Sequence, residues 1–579
     1  MNRKEIVNIL EEIGTILELK GENPFKSRAY FNAARTIESI SGDVIDLIRS
    51  GKISEIKGIG SAISDKLKTL IDKGALPYYE ELKSSIPEGL LKLLDIPGLG
   101  PKKVKVIYEK LKITTIGELE YACHENRLRD LDGFGEKSQD KILKGIELKK
   151  RYSERFHFPV ALRDAKSILD HLKQNPNIKR IELAGSLRRK KETIHDIDIV
   201  ASCRDEKRED LMTFFMSYVE PEMIVNRGQT KSTIILNSGI HCDLRLVSDD
   251  QYPFLLHHST GSKEHNTAMR QRAKSMNMTM NEYGLFKNGQ TDSIVCKNES
   301  EIFSKLNLAY IEPEMRENYG EIEQAERGTL PDLVKKEDIK GLFHVHTTYS
   351  DGAFSIREMA DYCLKMGFKY LGISDHSKSA FYANGLSEER IKQQHNEIDQ
   401  LNAEYKDFKI LKGIESDILQ DGNLDYSDTV LASFDFVIAS IHSGFQMTES
   451  VMTERICNAL ANPYTTMLGH PTGRLLLGRE AFPHDMPKIL ETAARYSRIV
   501  EINANPHRLD LDWRWGQLAN QLGIRTAINP DAHSTDGLHD YQIGLGIARK
   551  AQFEAVSVIN ALLPIELYKL FSDIRESGQ

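Results

Sequence analysis

The chain has 579 residues, of which 40% are hydrophobic and 28% are charged, and its formal net charge is -8 at pH 7. This length is too great for one hydrophobic core, so the sequence predicts three or more domains. The composition is typical of a globular protein, and since no apolar run reaches the roughly 18 residues of a membrane span, a transmembrane protein is excluded.

The N-terminal residues and the cysteines indicate a cytoplasmic protein. The stretch MNRKEIVNILEEIG predicts an amphipathic helix and lacks the apolar core of an export signal. The six cysteines form no C-x-x-C pair, which argues against a disulfide framework and against a thiolate zinc site.

The excess of acidic residues lies in residues 317–579, which contain 38 Asp and Glu and 26 Lys and Arg. A solvated surface accounts for most of that excess, and carboxylates that bind cations are a further reason for it.

One pattern occurs three times in residues 1–150 and predicts helix-hairpin-helix motifs. An apolar lead-in, a Gly-x-Gly turn and a lysine-bearing amphipathic helix follow one another in ISEIKGIGSAISDKL, LLDIPGLGPKKVKVI and LRDLDGFGEKSQDKI. Such turns let backbone N–H groups at the next helix face a phosphate, so we expect binding to the DNA backbone without sequence readout. The glycines concerned are Gly58, Gly60, Gly98, Gly100, Gly133 and Gly135. For any single copy, helix capping alone is the alternative.

Three aspartates in residues 151–245 predict a centre for phosphoryl transfer. Asp196 and Asp198 are one residue apart on a predicted strand in DIDIVAS, so both point to the same face, and Asp243 lies on another predicted strand in GIHCDLRLV. Like charges this close require a bridging cation, and Mg²⁺ prefers such oxygen ligands. Three carboxylates and two Mg²⁺ ions are an arrangement suited to nucleotidyl transfer. In the preceding loop AGSLRRKK, the expected ligands of the nucleotide phosphates are Gly185, Ser186 and Arg189.

Potential metal ligands recur in the last part of the chain. The polar segment 317–337 predicts a linker that lets the flanking domains reorient, and beyond it short apolar strands each end in a ligand, with helical patterns between them. This repeat predicts an α/β barrel with its site at the C-terminal strand ends. The candidate ligands are His344, His346, Asp351, His376, Glu415, His442, His470, Asp531 and His533. Nitrogen and oxygen donors without a thiolate suit two or three divalent ions such as Mn²⁺, Zn²⁺ or Fe²⁺.

Residues 1–316 resemble a family X DNA polymerase, through these motifs and through the segments NPFKSRAYFNAARTIESI and DQYPFLLHHSTGSKEHNTAMRQRAKSMNMTMNEYGLF. The resemblance implies a thumb in which the nucleotide contacts are Gly261, Asn266 and Arg270. It also implies a lyase-like domain whose DNA contacts are Lys26, Tyr30 and Lys66, the last being able to form a Schiff base with an abasic sugar. Ala62 stands where the family often has a second lysine, so binding of a DNA end is expected and lyase chemistry stays open.

Residues 338–579 resemble the PHP domain, named after polymerase and histidinol phosphatase, with all nine ligand positions filled. The resemblance implies a distorted (β/α)7 barrel that binds Mn²⁺ or Zn²⁺, with Glu415 bridging two ions. Its expected catalytic residues are His344, His346 and Glu415, beside the three aspartates of the other centre. Arg474 is expected either to contact a substrate phosphate or to be a plain surface residue.

The whole chain is thus expected to be a multidomain α/β protein. The expected parts are a lyase-like helical domain (1–85), a fingers-like helical domain (86–150), a polymerase β-like palm (151–245), a thumb (246–316), the linker (317–337) and the PHP domain (338–579). By resemblance to bacterial family X polymerases, the chain is expected to fill gapped or nicked DNA with dNTPs in base excision repair. Nothing in the sequence indicates a dimer, so a monomer is expected. The barrel is expected to be a 3′–5′ exonuclease. Two alternatives stay open, namely a barrel acting as phosphomonoesterase or abasic-site endonuclease, and a DNA-end scaffold without enzymatic activity.

Overall fold

The structure is a computed structural model, and it describes residues 3–40, 44–56, 58–87, 89–96, 98–129, 131, 133–150 and 155–577. These residues form two units, which divide between Lys149 and Lys150. The expected start of the palm, residues 151–154, lies outside the described residues. No helix in the described ranges has the length and apolar character needed to cross a membrane.

The first unit is helical throughout its described part, as its apolar periodicity predicts. Its helices are α1 (Arg3–Lys20), α2 (Pro24–Ser39), α3 (Val44–Arg49), α4 (Ser61–Lys73), α5 (Pro77–Ser84), α6 (Gly89–Leu93), α7 (Pro101–Leu111), α8 (Ile116–His124) and α9 (Glu136–Lys150). A short 3-10 turn also spans Lys52–Glu55. Two apolar cores form, one around α1, α2 and α4 and one around α7, α8 and α9. Ile86 packs against both cores, next to the expected boundary at residue 85.

The second unit begins with a five-stranded sheet and two packed helices, followed by a helical segment with a hairpin. The elements up to the sheet's last strand are β1 (Phe156–His157), α10 (Phe158–Leu172), β2 (Arg180–Leu183), α11 (Gly185–Arg188), β3 (Thr193–Ile194), β4 (Asp196–Ser202), α12 (Arg208–Met216), β5 (Ile224–Asn226), β6 (Lys231–Ile235) and β7 (His241–Val247). The next elements are α13 (Tyr252–Thr260), α14 (Lys263–Ser275), β8 (Met278–Asn281), β9 (Gly284–Lys287), α15 (Glu299–Lys305) and α16 (Glu321–Arg327). The strand order in the sheet is β2-β4-β7-β6-β5, and only β4 and β7 are parallel.

The rest of the chain forms a seven-stranded parallel barrel. Its elements are β10 (Gly341–Val345), α17 (Ile356–Lys365), β11 (Tyr370–Ile373), α18 (Glu388–Glu404), β12 (Lys409–Asp417), α19 (Asp428–Leu431), β13 (Phe436–Ser440), α20 (Glu449–Ala461), β14 (Met467–Leu468), α21 (Met486–Arg495), β15 (Ile499–Asn503), α22 (Gly516–Gln521), β16 (Thr526–Asn529), α23 (Tyr541–Lys550) and α24 (Pro564–Ser577). The strands follow chain order from β10 to β16. Backbone hydrogen bonds close the ring, since Ala532 donates to His344 (3.2 Å) and His346 donates to Ala532 (2.9 Å).

The barrel is filled with large apolar side chains, which leaves its C-terminal strand ends for a site. Phe343, Tyr370 and Phe436 pack inside with less than 1% exposure, together with Leu567 and Phe571 of α24. An aromatic interior of this kind is a packed core and leaves no channel for a ligand.

Single 3-10 turns of the second unit span Asp205–Lys207, Pro221–Met223, Pro313–Met315, Lys336–Asp338, Phe381–Ala383, Trp513–Trp515, Gly537–Asp540, Ala555–Ser557 and Ile559–Ala561.

The polar segment 317–337 is folded, which corrects the expectation of a loose connection between the domains that flank it. It contains α16, and Val334 is buried in the apolar core of the barrel. Two of its carboxylates are buried because they have partners: Glu317 pairs with Lys550, and Glu321 hydrogen-bonds the ring of His265 (2.7 Å). Polar composition indicated solvent exposure, whereas pairing with distant charges brings these residues inside.

Candidate functional site

The three aspartates of the sheet meet on the parallel strands β4 and β7. Asp198 lies directly opposite Asp243 in the strand register, and Asp196 precedes Asp198 by two residues on the same strand. Burial, followed by the like charges of Asp196 and Asp243, raises the pKa of Asp198 to about 7. Three carboxylates that repel one another in this way form a suitable site for divalent cations, because bound cations relieve the repulsion.

The Gly-Ser loop lies directly against these carboxylates. Gly185 has a φ of 60°, and a Cβ at this position would lie 2.0 Å from Oδ2 of Asp198. Only glycine therefore lets the loop approach so closely. The hydroxyl of Ser186 is buried and has no hydrogen-bond partner within the described part of the chain, so it is available to a ligand.

Arg189 lies between this loop and the segment that follows α13. Its Nε is 3.0 Å from Oε1 of Glu317, and its guanidinium also donates to the carbonyl of Thr260. Gly261 packs on the guanidinium, because a Cβ there would lie 3.0 Å from Nη1 of Arg189. The fold thus brings together Arg189 and Gly261, two nucleotide contacts predicted from segments far apart in the sequence.

The other two predicted nucleotide contacts line one small pocket. Nδ2 of Asn266 donates to the carbonyl of His258 (2.8 Å), while Arg270 is exposed on the same helix. The pocket is lined by His257, His258, Asn266, Arg270, Met280 and Asn281. A buried amide beside an exposed guanidinium offers both hydrogen bonding and charge to a polar ligand.

All nine candidate metal ligands meet at the C-terminal ends of the barrel strands. Within each of several subsets, the ligand atoms lie within 4.8 Å of one another; the subsets include His346, Asp351, His376 and His533; His344, Glu415 and His470; His344, His346 and Asp531; and His376, Glu415 and His442. Glu415 is central, since its Oε1 lies 2.9 Å from Nε2 of His470 and its Oε2 lies 2.9 Å from Nδ1 of His376. Overlapping sets of nitrogen and oxygen donors fit two or three divalent ions.

The electrostatics of this cluster also fit cations. Burial, followed by the charges of His533 and His376, lowers the pKa of His346 to about 3, which keeps that ring neutral. Burial alone would raise the pKa of Glu415, but His442 and His344 outweigh it and hold this pKa well below its usual range. Burial alone would lower the pKa of His344 and of His376, but Glu501 beside the first and Asp351 beside the second outweigh it and raise both pKa values well above their usual range. Metal ions bind neutral imidazoles and ionised carboxylates, so bound cations would replace the protons on these rings.

Three of the ligands lie on strained backbone. His344, His470 and Asp531 have φ values of 57°, 21° and 51°, in the left-handed region that residues other than glycine rarely adopt. The register of β10 shifts between Leu342 and Val345. His344 and His346 therefore approach each other, with ring centroids 5.3 Å apart, at an irregular strand end and not by regular alternation. Strain of this kind is concentrated at functional sites.

Comparisons with known proteins agree with this arrangement. Family models match residues 1–76 (helix-hairpin-helix domain), 90–149 (SAM-like helix-hairpin-helix tandem), 255–317 (DNA polymerase beta thumb) and 343–504 (PHP domain). The DNA polymerase/3′-5′ exonuclease PolX of Bacillus subtilis is 41% identical over 565 residues, which is 97% of this chain and 98% of that protein. The chain belongs to the bacterial family X DNA polymerases with a C-terminal PHP domain.

The family confirms the predicted fold class, from the helix-hairpin-helix domains through the thumb to the PHP barrel. The barrel region alone is also similar to phosphatases. A probable phosphatase of Thermoanaerobacter sp. is 29% identical over 231 residues, 38% of this chain and 88% of that protein. A probable phosphatase of Caldanaerobacter subterraneus is 30% identical over 210 residues, 33% of this chain and 74% of that protein.

The three Gly-x-Gly turns of this family X polymerase have one backbone geometry. In each turn, the residue between the two glycines donates its N–H to the carbonyl three positions earlier, over 3.1, 3.0 and 2.9 Å in chain order. The first glycines, Gly58, Gly98 and Gly133, have φ values of 108°, 95° and 81°. The second glycines, Gly60, Gly100 and Gly135, directly precede helices α4, α7 and α9. The free N–H groups at these helix starts are thus presented alike, except that Pro101 at the start of α7 has no N–H.

The predicted DNA-end contacts of the first unit are partly exposed. Nζ of Lys66 lies 4.7 Å from the ring centroid of Tyr78, and the ring of Tyr30 stacks on the same tyrosine at 6.4 Å. Lys26, one turn before Tyr30 on α2, is exposed. Tyr30 is only 4% exposed, so its ring belongs to the core and the two lysines are the groups that reach the surface.

Sequence reasoning missed several residues that hold the predicted ones in place. Oε1 of Glu501 hydrogen-bonds Nδ1 of His344 (2.5 Å), and Oδ1 of Asp417 hydrogen-bonds Nδ1 of His442 (2.5 Å). In the sheet, Nζ of Lys231 lies 2.7 Å from Oδ2 of Asp243. Partners of this kind orient a ligand and fix which ring nitrogen faces the centre. The available signal was a charged residue within an otherwise apolar strand, as in IVEIN around Glu501.

Arg474 has protein partners of its own and is largely covered by them. Its Nη1 pairs with Asp512 (2.5 Å), and its Nε donates to the carbonyl of Arg508 (3.0 Å). Because these partners engage the guanidinium, Arg474 braces the loop after β15 and is not a plain surface residue, while a contact with a substrate phosphate stays a prediction.

Proposed function

We propose that this chain fills short gaps in DNA by template-directed transfer of nucleotides from dNTPs, and that its barrel removes 3′ nucleotides from DNA. We place this activity in base excision repair in the cytoplasm, with the protein acting as a monomer on gapped or nicked DNA. One observation carries the proposal: a loop with an unpaired buried serine hydroxyl lies directly against three facing carboxylates. The relative from Bacillus subtilis carries both activities in its name.

At the palm centre, Asp196, Asp198 and Asp243 would hold two Mg²⁺ ions. When bound, such ions favour ionisation of the attacking 3′ hydroxyl and stabilise the leaving pyrophosphate. Ser186 donates its hydroxyl to the triphosphate, and Gly185 lets the loop come close enough for it to do so. Lys231 and Thr233 hold Asp243 by contacts of 2.7 and 2.5 Å, which fixes that carboxylate in its orientation.

In the thumb, Gly261, Asn266 and Arg270 would contact the incoming nucleotide and the template. Support comes from the packing of Gly261 on Arg189. This contact joins the thumb to the Gly-Ser loop, which is called the phosphate loop from here on. In the first unit, the three glycine turns would bind the DNA backbone, and Lys26 and Lys66 would bind a 5′ end. Contacts to the backbone position DNA without reading its sequence, as gap filling at any site requires.

At the barrel centre, the nine histidines and carboxylates would hold two or three ions such as Mn²⁺ or Zn²⁺. When bound, such ions stabilise the charge that develops on a phosphodiester during hydrolysis. Glu415 touches several of the histidines and would bridge two ions, while Glu501 and Asp417 orient His344 and His442. The buried cluster excludes bulk water, which strengthens these interactions.

Primer extension tests the palm proposal. An end-labelled primer on duplexes with gaps of one to five nucleotides is incubated with Mg²⁺ and dNTPs. We expect extension that stops when the gap is filled, and no extension by Asp198→Asn, which keeps the side-chain size and removes the charge. Extension by Asp198→Asn at the wild-type rate would exclude the palm centre as the site of transfer.

A second candidate for the barrel is hydrolysis of small phosphate monoesters, because the barrel region resembles probable phosphatases. An exonuclease cleaves a phosphodiester bond, whereas a phosphatase of this kind cleaves a phosphomonoester bond. With Mn²⁺, release of mononucleotides from a labelled 3′ end at a far higher kcat/KM than hydrolysis of p-nitrophenyl phosphate supports the exonuclease. The reverse ratio supports the phosphomonoesterase, and cleavage confined to an abasic site supports an endonuclease.

A further inference from the structure

Helix α23 of the barrel ends against the phosphate loop of the palm. Its last residue, Lys550, is only 3% exposed. The Nζ of Lys550 donates to the carbonyls of Arg189 (3.1 Å) and Glu314 (3.2 Å) and pairs with Oε1 of Glu317 (2.5 Å). It also lies 4.7 Å from the ring centroid of Trp513, which forms one wall of this site. A lysine is buried at such a position only when its charge is fully paired.

Glu317 connects this lysine to the predicted phosphate contact Arg189. Oε1 of Glu317, which pairs with Lys550, also lies 3.0 Å from Nε of Arg189, and Oε2 lies 3.4 Å from Nζ of Lys191. One carboxylate thus faces three cations. Burial alone would raise the pKa of Glu317, but Lys550 and Arg189 outweigh it and lower this pKa to about 2, so the carboxylate stays charged.

We infer that Lys550 of the barrel is a positioning residue for the nucleotide triphosphate at the palm, because it fixes Glu317, which in turn orients the guanidinium of Arg189. This inference rests on the proposed polymerase function and extends it to a residue of the PHP domain. An arginine held in advance loses less conformational freedom when the triphosphate binds. The positive charges of Arg189 and Lys191 also favour a polyanionic ligand at the loop.

One consequence separates the barrel from its metal centre. The barrel contributes to nucleotide binding at the palm through the last residue of α23, whereas its metal ligands lie at the C-terminal strand ends and would act on DNA. Removal of the Lys550 charge is therefore expected to weaken nucleotide binding while the exonuclease persists. Removal of the metal ligands is expected to abolish the exonuclease while nucleotide binding persists.

Arg549 provides a matched control on the same helix. Its Nε pairs with Glu314 (2.9 Å), and its Nη1 donates to the carbonyl of Val334 (3.1 Å). Arg549 and Lys550 thus join the barrel to the same neighbouring segment, but Arg549 pairs with the carboxylate of Glu314, whereas only Lys550 of the two pairs with the carboxylate of Glu317. A general weakening of this interface would affect both variants alike.

The experiment is single-nucleotide insertion into a one-nucleotide gap, with kcat and KM for dNTP measured for wild type, Lys550→Met, Arg549→Met, Glu317→Gln and the double variant Lys550→Met/Glu317→Gln. We expect Lys550→Met to raise KM about tenfold with kcat nearly unchanged, as for loss of a binding interaction shared by ground and transition states. Arg549→Met is expected to keep the wild-type KM. The double variant is expected to be no worse than the poorer single variant, because both changes break one linkage.

Several outcomes would overturn the inference. These are an unchanged KM in Lys550→Met, an equal rise in Lys550→Met and Arg549→Met, or additive effects in the double variant. The 3′–5′ exonuclease rate of each variant reports whether the protein is folded. If Lys550→Met loses that activity as well, Glu317→Gln decides, and an unchanged KM there overturns the inference. If wild type itself inserts no nucleotide, the proposed function fails, which is a separate result.

Discussion

Gly185 and Asp198 are in direct contact, and a methyl group added to Gly185 would lie 2.0 Å from Oδ2 of Asp198. The phosphate loop therefore rests on the carboxylate that lies opposite Asp243. The closeness of these two groups is what a shared centre for triphosphate and metal ions requires.

Gly185→Ala is expected to lower kcat/KM for nucleotide insertion about 100-fold, since a displaced phosphate loop misplaces the reacting groups. The exonuclease rate is expected to stay at the wild-type value. Gly289→Ala is the control, because Gly289 also has a positive φ (80°) but nothing lies within 4 Å of its added Cβ. Equal losses in both variants would show that backbone strain, and not the contact with Asp198, causes the effect.

Glu501→Gln is expected to lower the exonuclease rate or the metal affinity of the barrel by about 10- to 100-fold, as loss of a partner that orients a metal ligand does. Glu501 holds both Nδ1 of His344 (2.5 Å) and the N–H of His470 (2.6 Å). Metal content after dialysis and the exonuclease rate are the two readouts. Glu449→Gln, an exposed position at the start of α20, serves as control. Wild-type metal content and activity in Glu501→Gln would contradict the role given to this carboxylate.

Glu299 is expected to give the second unit an acid-sensitive part of its stability. Burial alone would raise its pKa, but Arg316 and Arg188 outweigh it and lower the pKa to about 2. The stabilisation is therefore complete above the ordinary carboxyl pKa of roughly 4.5 and is lost as the pH falls toward 2, and it amounts to about 3 kcal/mol.

Thermal unfolding midpoints of wild type and Glu299→Gln between pH 7 and pH 3 test this expectation. The gap between them is expected to be largest near pH 7 and to shrink below about pH 4.5. Glu323→Gln, which changes an exposed residue of α16, controls for the loss of one negative charge. A gap that stays constant over this pH range would contradict the assignment.

Gly133→Ala is expected to weaken binding to gapped DNA about threefold to tenfold, and by the same factor for two unrelated sequences, because the turn contacts only phosphates. Gly74→Ala is the matched control. Both glycines have positive φ values, 81° and 71°, and nothing lies within 4 Å of the added Cβ at either one, but Gly74 ends a helix outside the turns. Fluorescence anisotropy at several salt concentrations measures both affinities. Equal effects of the two substitutions would argue against a role of the turn in DNA binding.

The sequence predicted the parts of the site that depend on local order. Asp196 and Asp198 are two residues apart on one strand, and the barrel ligands lie within or shortly after short apolar strands, so the strand patterns indicated which residues would meet. The full fold class rested also on the resemblance to family X polymerases and to the PHP domain. Residues that hold these groups were not predicted, because their partners are far away in the chain. Glu501 and His344 are separated by 157 positions.

The segment 317–337 shows most clearly why the rest could not be read from the sequence. Its charged residues resemble those of a solvated linker, and only the fold places Glu317 between Arg189 and Lys550. A buried charge and an exposed charge are identical in a sequence, and only the partner distinguishes them. Likewise, the left-handed backbone of His344, with φ of 57°, has no signal in an otherwise apolar strand.

The most direct test of two separate centres uses an end-labelled primer on a one-nucleotide-gapped duplex with Mn²⁺, with and without dNTPs. The proteins compared are wild type, Asp196→Ala/Asp198→Ala and His344→Ala/His346→Ala. We predict that the aspartate variant only shortens the primer and that the histidine variant only extends it. Degradation that survives the loss of His344 and His346, or extension that survives the loss of Asp196 and Asp198, would contradict the account.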